Sequence, residues 1–226
     1  MAETLKSWPA GERPREKLFQ HGPASLTDAE LLAVLLRSGF RQTGVMTQAR
    51  DLIAAFGGLR GLFSQEGKRL GEIKGLGPAK AATLLAVTEI SKRCLKQQMI
   101  GKSFIREPQA VVDYLTADFQ DQKKEAFKIL FLNKAHAVIE ARTLFTGTVD
   151  RAMVHPREII RAALEFHASA LVLAHNHPSG QIEPSAEDRE ITAKLASLCE
   201  AMSMKVLDHI IIGGNRYFSF RENGLL

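Results

Sequence analysis

Residues 170–188 read ALVLAHNHPSGQIEPSAED, and this stretch decides the fold of the second half of the chain. Its first five residues are a short apolar run that is typical of a buried strand. Pro178 and Gly180 then end strand pairing and predict a loop. Ser185 is a suitable N-cap for a helix that we expect to run to about Met202. A buried strand that passes through a loop into a helix indicates a sheet covered by helices.

The two histidines of this stretch are separated by one residue. Successive side chains of an extended chain alternate between faces, so His175 and His177 are expected on the same face. Asp188 follows in the first turn of the predicted helix. Two imidazoles and one carboxylate, with a fourth position open, are typical of a catalytic zinc site rather than a closed structural one.

Each half of this pattern also has a purely structural interpretation. A His-x-His pair can consist of hydrogen-bonded residues near a sheet edge. Ser185 and Asp188 form an N-cap pair with an acidic third helical residue, which stabilises a helix in its own right. We expect the cap to coexist with a metal-binding role for Asp188.

Further strands and helices are predicted on both sides of the motif. Asn133-Lys134 predicts a turn between two strands, and Gly213-Gly214-Asn215 predicts a terminal hairpin. The predicted strands are 127–132, 137–144, 170–174, 206–212 and 216–220, with 101–103 as a linker or first strand, and the predicted helices are 108–119, 156–166 and 185–202. These elements predict an α+β or α/β domain with a central mixed sheet flanked by helices.

The first hundred residues contain helical signals instead. Thr27 and Glu30 form a capping box, and Gly39 is expected to end the helix that follows. Residues 70–81, LGEIKGLGPAKA, resemble a helix-hairpin-helix motif. We therefore predict an all-helical domain over 1–101, helix-hairpin-helix-like in character, and a metal-site domain over 102–226.

Composition excludes several classes of protein. The chain has 226 residues, 45% hydrophobic and 24% charged, which excludes fibrous and wholly disordered proteins. Cys94 and Cys199 lack the spacing of a disulfide framework or a cysteine zinc site. The first ten residues do not form a secretory signal, and the longest apolar runs are too short to span a bilayer. These features predict a soluble protein of the cytoplasm without membrane contact.

The net charge of +5 is unevenly divided between the two halves. Residues 1–104 carry 16 Lys and Arg against 9 Asp and Glu, and residues 105–226 carry 14 against 16. The basic half therefore predicts sequence-independent contact with DNA phosphates, in which Lys74 and Lys80 could take part. A glycine turn between two helices is also a common packing solution, so both interpretations stay open.

The whole motif resembles a known family. The pattern H-x-H-x₇-S-x-x-D, matched by His175, His177, Ser185 and Asp188, is similar to that of JAMM (MPN+) metalloproteases. Asn176 between the histidines resembles the bacterial RadC family, whereas deubiquitinating members usually have Ser or Thr there. Further segments resemble RadC proteins: RPREKL at 13–18, LTDAELL at 26–32, GLGPAKA at 75–81 and LDH at 207–209.

The resemblance implies a fold, a cofactor and a reaction. It implies a cytidine-deaminase-like JAMM domain that holds one zinc ion through His175, His177 and Asp188. It implies Glu125, just before a strand, as general base, with Glu140 as the competitor for that role, and the Ser185 hydroxyl as stabiliser of the oxyanion. The expected reaction is hydrolysis of a peptide or isopeptide bond in a protein or peptide substrate.

Two other functions and one supporting role stay open. The first is a non-enzymatic DNA-repair or recombination accessory protein, as the historical name of the RadC family suggests. The second is a nuclease, which a single-metal site disfavours because two-metal nucleases use a second carboxylate cluster. Asp208 and His209 are candidates for supporting the metal-binding histidines. The sequence does not indicate an oligomeric state.

Overall fold

A computed structural model describes residues 8–147 and 154–226. The chain forms two compact units that divide between Ser91 and Lys92. This division lies earlier than the boundary expected after residue 101, within one long helix. Each unit has its own hydrophobic core.

The first unit is helical, as the sequence predicts. Its core is formed by leucines and small apolar residues from five of its helices, including Leu32, Leu62 and Leu84. The helices are α1 Pro14–His21, α2 Asp28–Leu36, α3 Val45–Phe56, α4 Leu59–Phe63, α5 Gly67–Glu72 and α6 Gly77–Met99, the last of which continues into the second unit. Helix α1 was not predicted because Pro14 is its one buried residue, so it has no apolar stripe.

The capping box of α2 is confirmed. The Thr27 amide donates to Glu30 Oε2 at 2.8 Å, and the Glu30 amide donates to Thr27 Oγ1 at 3.3 Å. Lys17 Nζ also donates to Glu30 Oε1 at 3.0 Å. The expected end at Gly39 is wrong, because the helix ends at Leu36 and Arg37 adopts a positive φ of 67°.

A pH dependence follows from this box. Burial alone raises the pKa of Glu30, but hydrogen bonds from Thr27 and Lys17 outweigh it and lower the pKa below its usual value. A lowered carboxyl pKa stabilises the folded state above the unfolded pKa, and this contribution disappears as the pH falls through the folded pKa. We expect thermal unfolding of Glu30→Gln to depend less on pH between 7 and 3 than that of wild type. Glu72→Gln, at the exposed end of α5, is the control and should follow the wild type.

The glycine turn before α6 is a tightly packed structure. Gly75 has φ +90°, and a Cβ there would lie 2.7 Å from Gln48 Nε2 and 2.9 Å from Phe40 Cβ. The Lys80 ammonium points into this turn and donates to the oxygens of Ser38, Gly39, Gln48 and Gly75 at 2.6–3.3 Å. Its donors are therefore engaged within the unit, and a phosphate contact by Lys80 stays a prediction.

The second unit is a five-stranded mixed sheet flanked by helices, as predicted. The strand order is β2-β1-β3-β4-β5, with β3 and β4 parallel and the other pairs antiparallel. The elements are α7 Pro108–Phe119, β1 Ala126–Leu132, β2 Val138–Thr146, α8 Pro156–Glu165, β3 Ala170–Asn176, α9 Ala186–Ala201, β4 Lys205–Gly213 and β5 Arg216–Ser219. Residues 101–103 do not form a strand, since Ser103 makes a single bridge to Ala137.

Alternating residues of the sheet build two apolar layers. Leu130 and Val172 face a core that contains α7, whereas Ile129 and Leu173 face a core that contains α8 and α9. All seven residues of β1 and all seven of β3 are buried. Helix α9 connects the parallel strands β3 and β4. It packs on the face of the sheet that carries the α8–α9 core, so its first turn follows the loop at the end of β3 on that face.

Candidate metal centre

His175 and His177 lie at the end of β3 with their rings together. His175 is the penultimate residue of the strand and is fully buried, and His177 follows directly after it. The Nε2 atoms of the two rings are 2.9 Å apart. The prediction that both imidazoles share one face is therefore confirmed.

Helix α9 brings a carboxylate to the same point. Asp188 Oδ1 is 3.1 Å from His175 Nε2, and Asp188 Oδ2 is 3.5 Å from His177 Nε2. These are the three residues of the group that could hold a metal ion. Burial alone raises the pKa of Asp188, but hydrogen bonds from His175, His177 and Ser185, together with the charge of His175, lower it far below its usual value. The carboxylate is thus kept ionised, as a metal ligand must be.

The capping role of Ser185 is also confirmed. Ser185 Oγ donates to Asp188 Oδ2 at 2.7 Å and accepts from the Asp188 amide at 3.1 Å. The Ser185 amide donates to the same carboxylate oxygen at 2.8 Å. The cap orients the Asp188 carboxylate, leaving Oδ1 directed at His175.

The three side chains lie close enough together to share one metal ion. Tetrahedral ligands about 2.0–2.1 Å from zinc lie about 3.3 Å from one another. The two Nε2 atoms are 2.9 Å apart, Asp188 Oδ1 lies 3.1 Å from His175 Nε2, and the other carboxylate oxygen, Oδ2, lies 3.5 Å from His177 Nε2. Two imidazole nitrogens and one carboxylate oxygen, all within 4.8 Å of one another, form a donor set that fits zinc with a fourth position available.

A backbone carbonyl orients the ring of His177. His177 Nδ1 lies 3.0 Å from the Gln181 carbonyl oxygen, which can only accept, so Nδ1 carries the hydrogen. Nε2 is then the nitrogen that faces Asp188 and His175. A hydrogen bond to the Asp188 carboxylate raises the pKa of His177, although burial opposes this, and the charge of Glu125 adds to the increase.

The loop after His177 is held against the β4–β5 hairpin. The His177 amide donates to the Ile212 carbonyl at 2.8 Å, and Arg216 Nη2 donates to the Gly180 carbonyl at 3.0 Å. A Cβ at Gly213 would lie 2.7 Å from the Gly180 oxygen and 2.9 Å from the Gln181 oxygen. The loop can approach the hairpin this closely because residue 213 has no side chain.

We expect Gly213→Ala to displace this loop and to weaken metal binding about 10–100-fold, the usual loss when support of a ligand is removed. Gly214→Asn is the matched control, because Gly214 has φ +63°, which Asn tolerates, and nothing lies within 4 Å. Isothermal titration calorimetry measures the zinc affinity of both variants. Unchanged affinity in Gly213→Ala would show that the close approach does not set the position of His177.

Asn176 fixes the segment that carries Glu125. Its Oδ1 accepts from the Ala126 amide at 2.8 Å, and its Nδ2 donates to the Lys124 carbonyl at 3.1 Å. These two bonds bracket Glu125, whose own carbonyl accepts from the Gly147 amide at 2.8 Å. Glu125 is half-buried, and its charge acts on His177. By contrast, Glu140 lies on strand β2 and accepts a hydrogen bond from Lys96 Nζ at 2.6 Å. Glu140 is not part of this cluster.

The two residues Asp208 and His209 have different surroundings. Asp208 accepts bonds from the amides of His209 and Arg221 and from Ser219 Oγ, so it anchors the end of β5. His209 is fully buried, and its Nε2 lies 2.8 Å from His175 Nδ1. Of the pair considered from the sequence, His209 is therefore the one that contacts a metal-ligand histidine.

Two families match the chain, and together they cover most of it. Residues 105–225 match a family described as RadC-like JAB domain. Residues 5–82 match one described as UPF0758 N-terminal. The chain belongs to the RadC-like JAB family. The family resemblance inferred from the motif is therefore confirmed, and the His-His-Asp group of this JAB domain is the arrangement expected of JAMM sites.

Relatives of the RadC-like JAB chain extend over its full length. A UPF0758 protein of Pseudomonas fluorescens is 46% identical over 223 residues, which are 99% of this chain and 100% of the relative. A UPF0758 protein of Methylibium petroleiphilum is 45% identical, over 98% of this chain and 100% of the relative. One from Leptothrix cholodnii is equally similar, at 45% over 222 residues.

Three residues at the site of this JAB domain were not predicted from the sequence. Asn176 was noted only for its position between the histidines, and Gly213 only as part of a turn. Thr192 gave a weak signal, because it lies one helical turn after Asp188 on the same face of α9.

Among the helices that the structure describes, none is long and apolar enough to cross a membrane.

Proposed function

We propose that this chain is a zinc-dependent hydrolase of JAMM type that cleaves a peptide or isopeptide bond. The observation that carries the proposal is the group formed by His175, His177 and Asp188, whose ligand atoms all lie within 4.8 Å of one another. The mixed sheet, with α7 on one face and α8 and α9 on the other, supports the cytidine-deaminase-like arrangement that the family implies.

The residues of the chain divide the work of hydrolysis. His175, His177 and Asp188 would hold one zinc ion, which lowers the pKa of a bound water towards ~7 and polarises the substrate carbonyl. Glu125 takes a proton from the attacking water as its oxygen bonds to the carbonyl carbon. Glu125 then gives that proton to the amine nitrogen as the carbon–nitrogen bond breaks.

Ser185 is the proposed donor to the oxyanion. Its hydroxyl hydrogen is directed at Asp188 Oδ2 in the cap. To donate to the tetrahedral oxygen, this hydrogen must turn away from Asp188, while the Ser185 amide continues to hold the carboxylate. Ser185 therefore has two roles in the proposal, capping α9 before the reaction and stabilising negative charge during it.

The test is hydrolysis of peptide and isopeptide substrates by the purified full-length chain. Activity should disappear when a chelator removes the metal, and it should return when zinc is restored. An isopeptide-linked lysine substrate and a linear peptide of the same flanking sequence distinguish the two bond types. A zinc-loaded chain that cleaves neither substrate class would contradict the proposal.

A second candidate function is contact with a nucleic acid through the helical unit. The supporting observation is an open cleft of about 250 Å³ at α1 and α2, whose lining includes Arg13, Arg15 and Arg37 together with Glu16. Arg15 and Arg37 are exposed, and an arginine cluster is suited to phosphate groups. With α5, the Gly75 turn and α6 as a helix-hairpin-helix-like element, this unit would serve a DNA-repair accessory role.

Fluorescence anisotropy with labelled duplex DNA tests this second function. The double variant Arg15→Gln/Arg37→Gln should weaken binding and reduce the salt dependence, by about one unit of slope for each phosphate contact removed. Lys80→Gln probes instead the lysine that binds the Gly75 turn, and it should affect stability more than DNA contact. No binding by wild type at low salt would exclude the function.

A further inference from the structure

A chain of buried hydrogen-bonding groups leads from helix α9 to His175. Thr192 Oγ1 lies 2.5 Å from the Asp188 carbonyl oxygen and 2.6 Å from His209 Nδ1. His209 Nε2 lies 2.8 Å from His175 Nδ1. His175 and His209 are fully buried and Thr192 is 2% exposed, so water does not supply alternative partners.

The chemistry of these groups fixes which member of each hydrogen-bonded pair is the donor. The Asp188 carbonyl has no hydrogen, so the single hydroxyl hydrogen of Thr192 must lie between the two oxygens. Thr192 Oγ1 can then only accept from His209, which places a hydrogen on His209 Nδ1. Nε2 of the neutral ring therefore accepts, and the hydrogen on that side belongs to His175 Nδ1.

The opposite arrangement, in which Thr192 donates to His209, leaves two acceptor oxygens in contact with no hydrogen between them. If Thr192 donated to His209 Nδ1, its oxygen and the Asp188 carbonyl oxygen would face each other at 2.5 Å as two acceptors. Ring rotation is also restricted, because Phe127 stacks on His175 at 5.8 Å and Phe220 stacks on His209 at 4.8 Å between ring centres. The two histidines therefore keep both their orientation and their hydrogen positions.

We propose that Thr192 and His209 are positioning residues that hold His175 in the tautomer with hydrogen on Nδ1, so that its Nε2 lone pair is directed at the metal position. Nε2 is the atom that faces His177 and Asp188. Asp188 then acts at both ends of the chain, since its carboxylate is a ligand and its carbonyl orients Thr192. The first turns of α9 thus supply one ligand and set the donor atom of another.

This inference rests on the proposed function only in treating His175 as a metal ligand. Long-range proton–nitrogen NMR spectra of the metal-free full-length chain, labelled at histidine nitrogen, read the tautomers without any catalysis. We expect His175 and His209 both to carry hydrogen on Nδ1, with an unprotonated Nε2 on His209. A hydrogen on His209 Nε2 in the wild type would overturn the proposal.

The variant Thr192→Val keeps the shape of the side chain but removes the hydroxyl. We expect the Nδ1–H form of His209 to be lost and zinc affinity to fall about 10–100-fold, as when support of a ligand is removed. Thr192→Ser keeps the hydroxyl and should preserve both the spectrum and the affinity. Unchanged tautomers and zinc affinity in Thr192→Val would overturn the proposal.

The failure of this inference and the failure of the proposed function are distinguishable. A chain with the expected tautomers and zinc affinity that hydrolyses no substrate contradicts the hydrolase and leaves the positioning chain supported. A chain that hydrolyses a peptide with Thr192→Val at full affinity and rate supports the hydrolase and overturns the positioning chain.

Discussion

Glu125→Gln is expected to lower hydrolysis about 10²–10⁴-fold, the usual contribution of a positioned general base. Gln has the shape of Glu but cannot accept the proton of the attacking water. The backbone around residue 125 is fixed by Asn176 and by the Gly147 amide, so the substitution should leave the fold unchanged. Zinc content and unfolding temperature should therefore match those of the wild type.

Glu140→Gln is the matched control for this experiment. Glu140 was the alternative general base considered from the sequence. It lies on β2 and forms an ion pair with Lys96 of α6. We expect this variant to lose a half-exposed ion pair, worth up to about 1 kcal/mol, and to keep its activity. If Glu125→Gln retains activity, or if Glu140→Gln abolishes it, the proposed assignment of the base is wrong. Survival of all function in Glu125→Gln would favour the accessory role.

His177→Ala is expected to lower zinc affinity more than about 100-fold, beyond the loss typical when a supporting residue is replaced. The substitution removes one of three ligand atoms and leaves His175 and Asp188 as an incomplete pair. His177 lies after β3 and contacts the polar atoms of His175, Gln181 and Asp188, so the apolar core is left intact. The folded state should persist without metal.

His155→Ala is the control for the loss of a histidine in the same unit. His155 is exposed and precedes α8 with an ordinary backbone conformation. Zinc affinity of this variant should equal that of the wild type. If His177→Ala retains the wild-type zinc affinity, the metal lies elsewhere or His177 does not bind it.

The metal-ligand set could be predicted from the sequence because its signals are local. His175 and His177 are two residues apart on a strand, and Asp188 is fixed by the cap of the helix that follows. Strand periodicity and N-cap chemistry therefore suffice to bring these three residues together. The buried strands β1 and β3 were predicted for the same reason, since a continuous apolar run indicates burial on both faces.

Asp208 and His209 were candidates for supporting these ligands, but the contacts made by the supporting residues could not be predicted because they are not local. His209 reaches His175 only because β4 pairs in parallel with β3, and a crossover helix separates the two strands. Asn176 contacts Lys124 and Ala126, about fifty positions earlier, through the antiparallel pairing of β1 and β3. Pairing order is a property of the whole sheet, so spacing along the chain does not reveal it.

The helical unit differs from expectation where polar groups converge. The charge of Lys80 suggested a surface contact with DNA, but its ammonium is bound by four oxygens, from residues 38–39, from Gln48 and from Gly75. Helix α1 has no apolar stripe, and it was missed although Pro14 at its first turn and Gly22 after its end mark both boundaries. For Lys80, the tertiary surroundings rather than the residue type decide which groups the side chain contacts.

The most direct test of the metal centre is a zinc titration of the metal-free full-length chain, with the metal content of the purified protein measured beside it. The proposed function predicts about one zinc ion per chain, with binding lost in His177→Ala. A folded wild-type chain that binds no zinc, or that binds it equally well without His177, would contradict the role proposed for His175, His177 and Asp188.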